Sequence, residues 1–234
     1  IYGVGREEGE IAGAPVYDRV EKIPEVPDVA IIISPAQTVP GFMEDCGKKG
    51  IKRVVIESGG FSEYSEGENI LEKKILDIAD RYGMRFIGPN CIGTVNFDIK
   101  MMMPFGFFPQ TVPGGRVAMI AQSGGVGGSY LGAFGDNAII PGKFAAIGNK
   151  LQIDEVDVLD YLIRDENTDV IAMYLEGFKR GRAFFDLAVK SDKPLIALKS
   201  NRSTLTAKIA QSHTTALSAD DSVVDAALDR KSVV

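Results

Sequence analysis

The chain has 234 residues, of which 45% are hydrophobic and 25% charged, the composition of a globular protein rather than a disordered or fibrous one. This length allows one large domain or two ordinary domains, and we expect two. A formal net charge of -6 argues against a protein held to nucleic acid or acidic lipid by a broad positive surface, and no apolar run approaches the roughly 18 residues of a membrane span.

Short apolar runs recur along the chain and predict buried strands. The first, Asp28–Ile33, reads DVAIII. It is too short for a helix, and its β-branched residues are typical of a strand covered on both faces. Six further runs follow, at Val54–Ile56, Arg85–Ile87, Val117–Ala121, Phe144–Ile147, Val170–Leu175 and Pro194–Leu198. Most are separated by a stretch of helix length, such as Glu66–Tyr82, which Gly83 closes. This βαβ rhythm predicts α/β domains built on parallel sheets.

A lapse in this rhythm marks the expected domain boundary. Between Thr94 and Gly115 the sequence becomes dense in Met, Phe, Pro and Gly. We therefore expect two parallel-sheet domains, residues 1–112 and 113–234. In open parallel sheets ligands bind beyond the carboxyl ends of the strands, so the small and polar loops after the apolar runs are the candidate binding segments.

The cysteines indicate the redox environment of the protein, and the first residues indicate the state of its N-terminus. Cys46 and Cys91 are far apart and lack the paired spacing of a zinc or redox motif, so we expect a reduced, cytoplasmic environment and no metal site. The first residue is Ile1 rather than Met, and no signal-peptide pattern follows. We expect a truncated N-terminus.

The loop after Val117–Ala121 is a candidate phosphate site. It reads Gln122-Ser123-Gly124-Gly125 and can open a helix, whose first backbone N–H groups can hold a phosphate. A plainer interpretation is that Ser123 caps a helix whose glycines allow close packing. Spacing alone leaves both open and slightly favours the plainer one, because glycine-rich turns are common.

Two further residues are candidates for chemistry. His213 is the only histidine of the chain, and a lone histidine is usually a surface residue. However, the hydroxyl neighbours Ser212 and Thr214 leave the ring accessible and offer donors to a phosphate, and a neutral imidazole is nucleophilic near physiological pH. Glu176 follows Val170–Leu175 at the expected carboxyl end of a strand. Its carboxylate either orients an imidazole through the second ring nitrogen or is a solvated acid in a turn.

Together, these loops resemble those of the succinyl-CoA ligase α-subunit and the α portion of the ADP-forming acetyl-CoA synthetases. Motifs similar to the family's CoA-binding domain are SPA at Ser34–Ala36, GGFSE at Gly59–Glu63 and IGPNCIG at Ile87–Gly93. The second domain carries, in family order, AQSGG at Ala121–Gly125, IGNK at Ile147–Lys150, YLEG at Tyr174–Gly177, LKS at Leu198–Ser200 and SHT at Ser212–Thr214. The resemblance covers nearly the whole chain.

The resemblance implies a Rossmann-like CoA-binding domain followed by a flavodoxin-like ligase domain. It also implies a ligase that conserves the thioester energy of an acyl-CoA in a nucleoside triphosphate, through an acyl phosphate and a phosphohistidine. His213 matches the phosphorylated histidine, and Glu176 matches the carboxylate that steadies it. The phosphate-binding positions are matched by Ser123, Gly124, Gly125, Ser212 and Thr214. The CoA-binding positions are matched by Ser34, Pro35, Glu57, Ser58, Gly59, Asn90, Cys91 and, more weakly, Arg6.

The sequence departs from the family pattern at three places. The family's first strand and glycine loop would precede Ile1, so we expect an incomplete CoA site. Thr215 stands where the family usually has glycine after His-Thr, and its Cβ disfavours left-handed backbone conformations. Gln152 stands where these synthetases often carry an acid.

The resemblance also implies additional protein. Nothing in the sequence resembles a nucleotide-binding ATP-grasp domain. We therefore expect ATP or ADP and Mg²⁺ to be bound by a separate ATP-grasp β-subunit or by a fused domain beyond Val234. The remaining substrates are coenzyme A, a carboxylic acid or its acyl-CoA, and phosphate. We expect an oligomer, and neither nucleic acid nor a membrane as a partner.

Two rival functions fit parts of the sequence. Some multidomain proteins use a similar region to sense acyl-CoA without ligase chemistry, for example when it is fused to an acetyltransferase. His213 and Glu176 argue against such a module, whereas Thr215 favours it. A nicotinamide-dependent oxidoreductase needs a glycine fingerprint after a strand and an acid about 20 residues later, and the closest string, Gly125–Tyr130, lacks the third glycine.

Overall fold

The computed structural model describes residues 1–62, 70–103, 114–136 and 139–200. The first residues form a small sheet of three strands, β1 Gly3–Val4, β2 Gly9–Ile11 and β3 Ala14–Tyr17. β3 lies in the middle, parallel to β1 and antiparallel to β2. Ala12 and Gly13 both have positive φ, 52° and 80°, as a two-residue hairpin loop between twisted strands requires. The sequence does not predict these strands, because so few residues carry no periodicity.

The first domain contains a parallel sheet, as the sequence predicts. Its strands, in spatial order, are β4 Ala30–Ile32, β5 Arg53–Ile56 and β6 Arg85–Ile87. Its crossover helices are α1 Val39–Lys49 and α2 Ile70–Tyr82. The described part of the predicted helix Glu66–Tyr82 is thus confirmed.

Both crossover helices pack into one core with this sheet. Met43 of α1, Ile75 of α2 and Ile56 of β5 are all fully buried there. Gly47 lets the helices approach closely, because a Cβ at this position would lie 2.4 Å from the ring of Tyr82. This packing fixes the ends of the strands, and therefore the loops that follow them.

The second domain is built on a larger sheet, with which two strands of the preceding segment also pair. The strands of this sheet in chain order are β7 Thr94–Asn96, β8 Met101–Met102, β9 Val117–Ala121, β10 Pro141–Ala146, β11 Val170–Leu175 and β12 Leu195–Lys199. Their spatial order is β12-β11-β9-β10-β7-β8. The four strands β12, β11, β9 and β10 are parallel, and β7 and β8 add two antiparallel strands beyond β10.

The helices of this domain are α3 Gly124–Asp136, α4 Glu155–Arg164 and α5 Gly181–Lys190. After β9 the chain crosses to β10 on one side, and it then returns to β11 on the other side. The carboxyl ends of β9 and β11 therefore flank the point where the strand order reverses, which is where open α/β sheets bind ligands. Within the described ranges, no helix is long and apolar enough to cross a bilayer.

Strands β7 and β8 occupy part of the segment in which the predicted periodicity lapses. They pair with the second sheet, although their residues precede the expected boundary between residues 112 and 113. An ion pair ties the same segment to this sheet, because buried Lys143 of β10 contacts both Asp98 and Asp165. The boundary itself falls outside the described residues and stays a prediction.

The two domains are joined at the edge of β6. The side-chain amide of Gln152 accepts a hydrogen bond from the Phe86 N–H (2.8 Å) and donates one to the Met84 carbonyl (3.2 Å). The main chain continues the pairing, since the N–H of Ile153 donates to the Phe86 carbonyl at 3.3 Å. A carboxylate could accept here but could not donate, which gives a physical reason for an amide at position 152.

Gln152→Glu should weaken this junction. The Met84 carbonyl would then face an acceptor, and an unpaired buried polar group costs about 1–3 kcal/mol. We expect a loss of that size in the free energy of unfolding, measured by urea denaturation at neutral pH. The same substitution at the exposed Gln37 is the control and should change stability by less than about 0.5 kcal/mol. Equal effects at both positions would show that the Gln152 contacts contribute nothing.

Candidate active site

The strand-end loops of the two domains touch through their main chains. The N–H of Asn149, after β10, donates to the Pro89 carbonyl, after β6, at 2.9 Å. Gly148 has a φ of +54°, and a Cβ there would lie 2.3 Å from the Pro89 oxygen and 2.5 Å from the Asn90 oxygen. No side chain fits between these loops, so glycine is required for the domains to meet this closely.

Amide and hydroxyl side chains extend this contact to a third loop. The Asn90 amide donates to the Asn149 side-chain oxygen at 3.2 Å, and the Asn149 amide donates to the Ser62 hydroxyl at 3.5 Å. The backbone N–H of Asn90 also donates to the Ser58 carbonyl at 2.9 Å. Loops that follow β5, β6 and β10 are thereby held together along one polar edge.

Most of the predicted CoA-binding residues lie on neighbouring loops. The Ser58 hydroxyl accepts from the Ser34 N–H at 3.0 Å and lies 3.3 Å from the Ile32 carbonyl. Glu57 is buried beside it, and its N–H donates to the same carbonyl at 3.0 Å. Among the described residues, the buried Ser34 hydroxyl oxygen makes no hydrogen bond.

The other predicted CoA-binding residues have different surroundings. Pro35 and Gly59 are exposed next to these loops. Arg6 lies on the exposed segment between β1 and β2, and no described contact connects it to the loops at the strand ends. Cys91 is 3% exposed, and its thiol donates to the Ile56 carbonyl at 3.3 Å. Burial raises the pKa of this thiol to about 12, so the side chain has a packing role and is not poised as a nucleophile.

Ser123 and the first glycines of α3 support the plainer interpretation in part. The Ser123 hydroxyl accepts from the Val126 N–H at 3.4 Å, as a helix cap does. A Cβ on Gly124 would lie 2.5 Å from Ile92, whereas nothing lies within 4 Å of a Cβ on Gly125. Gly124 is therefore a packing residue, while exposed Gly125 leaves the helix start open. The backbone N–H groups of a first helical turn have no intrahelical acceptor.

The Glu176 turn lies next to this helix start. Gln122, directly after β9, accepts hydrogen bonds through its side-chain oxygen from the N–H groups of Glu176 (2.9 Å) and Gly177 (3.3 Å). Glu176 itself is half-buried. The main chain of the Glu176 turn therefore lies against Gln122, the residue before Ser123, at the switch point between β9 and β11.

Buried charges hold the other side of this turn. Lys150 Nζ donates to the Gly177 carbonyl at 2.7 Å and pairs with Glu155 Oε2 at 3.0 Å, and both charged side chains are buried. Glu155 Oε1 in turn accepts from the Lys179 N–H at 2.7 Å. The sequence does not assign roles to Gln122, Lys150 or Glu155, because each acts on backbone groups far away in the chain. For Lys150, the one signal in the sequence is its place within the IGNK motif.

Arg180 anchors the end of the same loop. Its guanidinium contacts both carboxylate oxygens of Asp154 and also Asp157. Burial alone would raise the pKa of Asp154, but the Arg180 contact and the Val156 N–H outweigh it and hold that pKa below its usual range. Asp154 stays ionised and caps α4. The predicted residues Ser212, His213 and Thr214, as well as Thr215, lie outside the described residues.

Comparison with known families agrees with this two-domain arrangement. Residues 114–234 match the model of the succinyl-CoA ligase like flavodoxin domain, and residues 1–96 match that of a CoA-binding domain. The chain belongs to the succinyl-CoA-ligase-like family. The predicted Rossmann-like and flavodoxin-like folds are confirmed.

Individual members of the succinyl-CoA-ligase-like family are similar over the whole chain. The chain is 40% identical to the α subunit of ADP-forming acetate–CoA ligase I of Pyrococcus furiosus and covers 52% of it. It is 38% identical to ADP-forming acetate–CoA ligase II of Archaeoglobus fulgidus and covers 35% of it. A solved structure of acetyl-coenzyme A synthetase 1 of Ca. Korarchaeum cryptofilum, in complex with phosphate and ADP, superposes with a TM-score of 0.91 at 35% identity. This chain covers 50% of that one, so it spans about half or less of the relatives it matches.

Gly148→Ala should disrupt the contact between the domains. Its Cβ would collide with two backbone oxygens that cannot move independently, so we expect a loss of about 3 kcal/mol or more in the free energy of unfolding. Gly83→Ala is the matched control, because Gly83 has a similar φ of +61° but nothing within 4 Å of its Cβ position. That control should lose only about 1–2 kcal/mol. Equal losses in urea titrations would mean that strain, not the contact, dominates at both positions.

Both cysteines should resist alkylation in the folded protein. Burial raises the pKa of Cys46 to about 11 and that of Cys91 to about 12. Near pH 8 an exposed thiol of ordinary pKa, about 8.5, reacts readily. We expect reaction with iodoacetamide to be more than about 100-fold slower than for a free thiol, and normal rates in urea. Rapid modification of Cys91 in the native state would contradict its buried position.

Proposed function

We propose that the chain is the CoA-binding and phosphohistidine-bearing part of an acid–CoA ligase. The reaction interconverts an acyl-CoA, phosphate and ADP with a carboxylic acid, CoA and ATP. One observation carries the proposal: in a member of this family, an open helix start and a clamped glutamate meet at the switch point of the sheet. This is where a phosphoryl group in transit would be stabilised.

The chemistry would proceed in three displacements. A phosphate oxygen attacks the thioester carbon, the C–S bond breaks, and the CoA thiolate leaves and takes up a proton. A ring nitrogen of His213 then attacks the phosphorus of the acyl phosphate, the P–O bond to the acyl group breaks, and the carboxylate is released. Finally the phosphoryl group passes from His213 to ADP, which forms ATP and restores the imidazole.

The residues around the switch point suit the second displacement. The helix start at Ser123, Gly124 and Gly125 directs N–H groups and the positive end of a dipole towards negative charge. Ser212 and Thr214 would add hydroxyl donors beside the ring. Glu176 would accept a hydrogen bond from the second nitrogen of His213, which orients the ring and stabilises the charge it gains.

The first domain would bind CoA along its strand ends. The polar edge at Ser58 and Asn90 supports this, and so does the Ser34 hydroxyl, which makes no hydrogen bond within the described part of the chain. Glu57, Pro35 and Gly59 belong to the same proposed surface. Cys91 would contribute through its main chain, because its side chain is buried. Arg6 has the least support, since it would have to reach the CoA phosphates from a separate segment.

The ligase needs a nucleotide-binding partner. Because the chain spans only part of its relatives, we propose that an ATP-grasp β-subunit or fused domain supplies ADP and Mg²⁺ to His213. In the described residues, no cluster of His, Cys, Asp and Glu has the arrangement needed to hold a metal ion. An oligomeric assembly and a cytoplasmic location, consistent with two free thiols, are part of the same proposal.

Phosphate labelling tests the mechanism. Full-length protein with its nucleotide-binding part, incubated with γ-labelled ATP and Mg²⁺, should acquire label that is stable in base, labile in acid and lost on adding ADP. His213→Ala should abolish the label, and Glu176→Gln should slow its appearance by about 10- to 100-fold. No label on folded wild-type protein would overturn the ligase mechanism and favour an acyl-CoA-sensing module.

A further inference from the structure

The turn that carries Glu176 is held by two side chains to which the proposed chemistry gives no role. Gln122 reaches it from the end of β9, and Lys150 reaches it from the loop after β10. Both side chains are almost completely buried, with relative exposures of 8% and 6%. Gln122 accepts from the N–H groups of Glu176 and Gly177, and Lys150 donates to the Gly177 carbonyl.

Gln122 fixes the orientation of the Glu176 peptide. Its single amide oxygen accepts from two consecutive N–H groups, at 2.9 and 3.3 Å, so both peptide planes must direct their hydrogens to one point. This sets the direction in which the Glu176 side chain leaves the backbone. The neighbouring main chain is fixed as well, because the Gln122 N–H donates to the Tyr174 carbonyl at 2.9 Å.

Lys150 holds the turn from the opposite side. Its ammonium donates to the Gly177 carbonyl at 2.7 Å and is neutralised by Glu155 at 3.0 Å. Burying such an ion pair costs desolvation that attraction only partly offsets, so it is weak evidence for added stability. Retaining it at this place is better explained by the geometry that it imposes on the turn.

We propose that Gln122 and Lys150 are positioning residues for Glu176. They hold the turn so that the carboxylate meets the imidazole of His213, and they set the rate of phosphoryl transfer rather than the affinity for CoA. The inference rests on the proposed function. A displacement of about 1 Å at a reacting group can cost about 100-fold in rate, so a loosened turn should be visible in the kinetics.

A double-mutant cycle separates positioning from general structural support. Gln122→Met keeps the length of the side chain but removes the acceptor, and it should slow His213 labelling by about 10- to 100-fold. In a Glu176→Gln background the same substitution should cost less than about 3-fold, because the carboxylate through which Gln122 acts is already absent. The CoA dissociation constant, measured by titration calorimetry, should stay within about 3-fold in every variant.

Lys150 provides a second test, in case Gln122→Met does not fold. Lys150→Met combined with Glu155→Gln removes both buried charges while keeping an acceptor for the Lys179 N–H. It should slow labelling by a similar factor. Lys193→Met is the matched control, because Lys193 Nζ also donates to a carbonyl, that of Leu162 at 2.8 Å, but between α4 and the segment before β12. It should leave the labelling rate unchanged.

The outcomes distinguish the two proposals. Suppose that the wild-type protein is labelled, but the rate losses of Gln122→Met and Glu176→Gln multiply in the double variant. The positioning role would then be wrong, while the proposed function would stand. Equal losses in the Lys193 and Lys150 variants would overturn the positioning role too. Unlabelled wild-type protein would overturn the proposed function and this inference together.

Discussion

The parallel pairing of β9 with β11 is the constraint on which the candidate site depends. It places β10 and β12 on opposite flanks, so the helices that follow β9 and β10 connect in opposite directions along the sheet. Two loops that are 54 residues apart in sequence then meet through a single amide oxygen of Gln122. A helix start and a glutamate can share one crevice only because the strand order reverses at this point.

A second constraint comes from the contacts that join the two domains. The contact of Gly148 with the Pro89 loop and the pairing of Gln152 with the β6 edge bring both sets of strand ends to one side of the junction. In the proposed reaction the CoA thiolate leaves at the first domain and the phosphoryl group is then transferred at the second, which such an arrangement would allow. The proposed ligase would use the first domain for the thiol and the second for the phosphate.

The sequence predicts the large elements of this fold well and its fixing contacts poorly. The strands from β4 to β6 and from β9 to β12 are confirmed because buried β-branched runs separated by helical stretches have few other solutions. Strands β7 and β8 escape prediction, since two or three residues carry no periodicity. Gln122, Lys150 and Gln152 escape it for another reason: their partners are backbone groups, and composition does not reveal those pairings. The roles of Ser123 and Gly124 as cap and packing residues were one of two open interpretations, and their phosphate role stays a prediction.

Oxygen transfer from phosphate to the released acid tests the central claim most directly. Full-length protein would be given acetyl-CoA, ADP, Mg²⁺ and phosphate labelled with ¹⁸O at all four oxygens, and the acetate would be analysed by mass spectrometry. An acyl phosphate that loses its phosphoryl group by P–O cleavage must leave one ¹⁸O atom on the acid, and the ATP formed must carry the other three. Acetate that contains oxygen from water only, or thioester cleavage that does not require phosphate, would contradict the account.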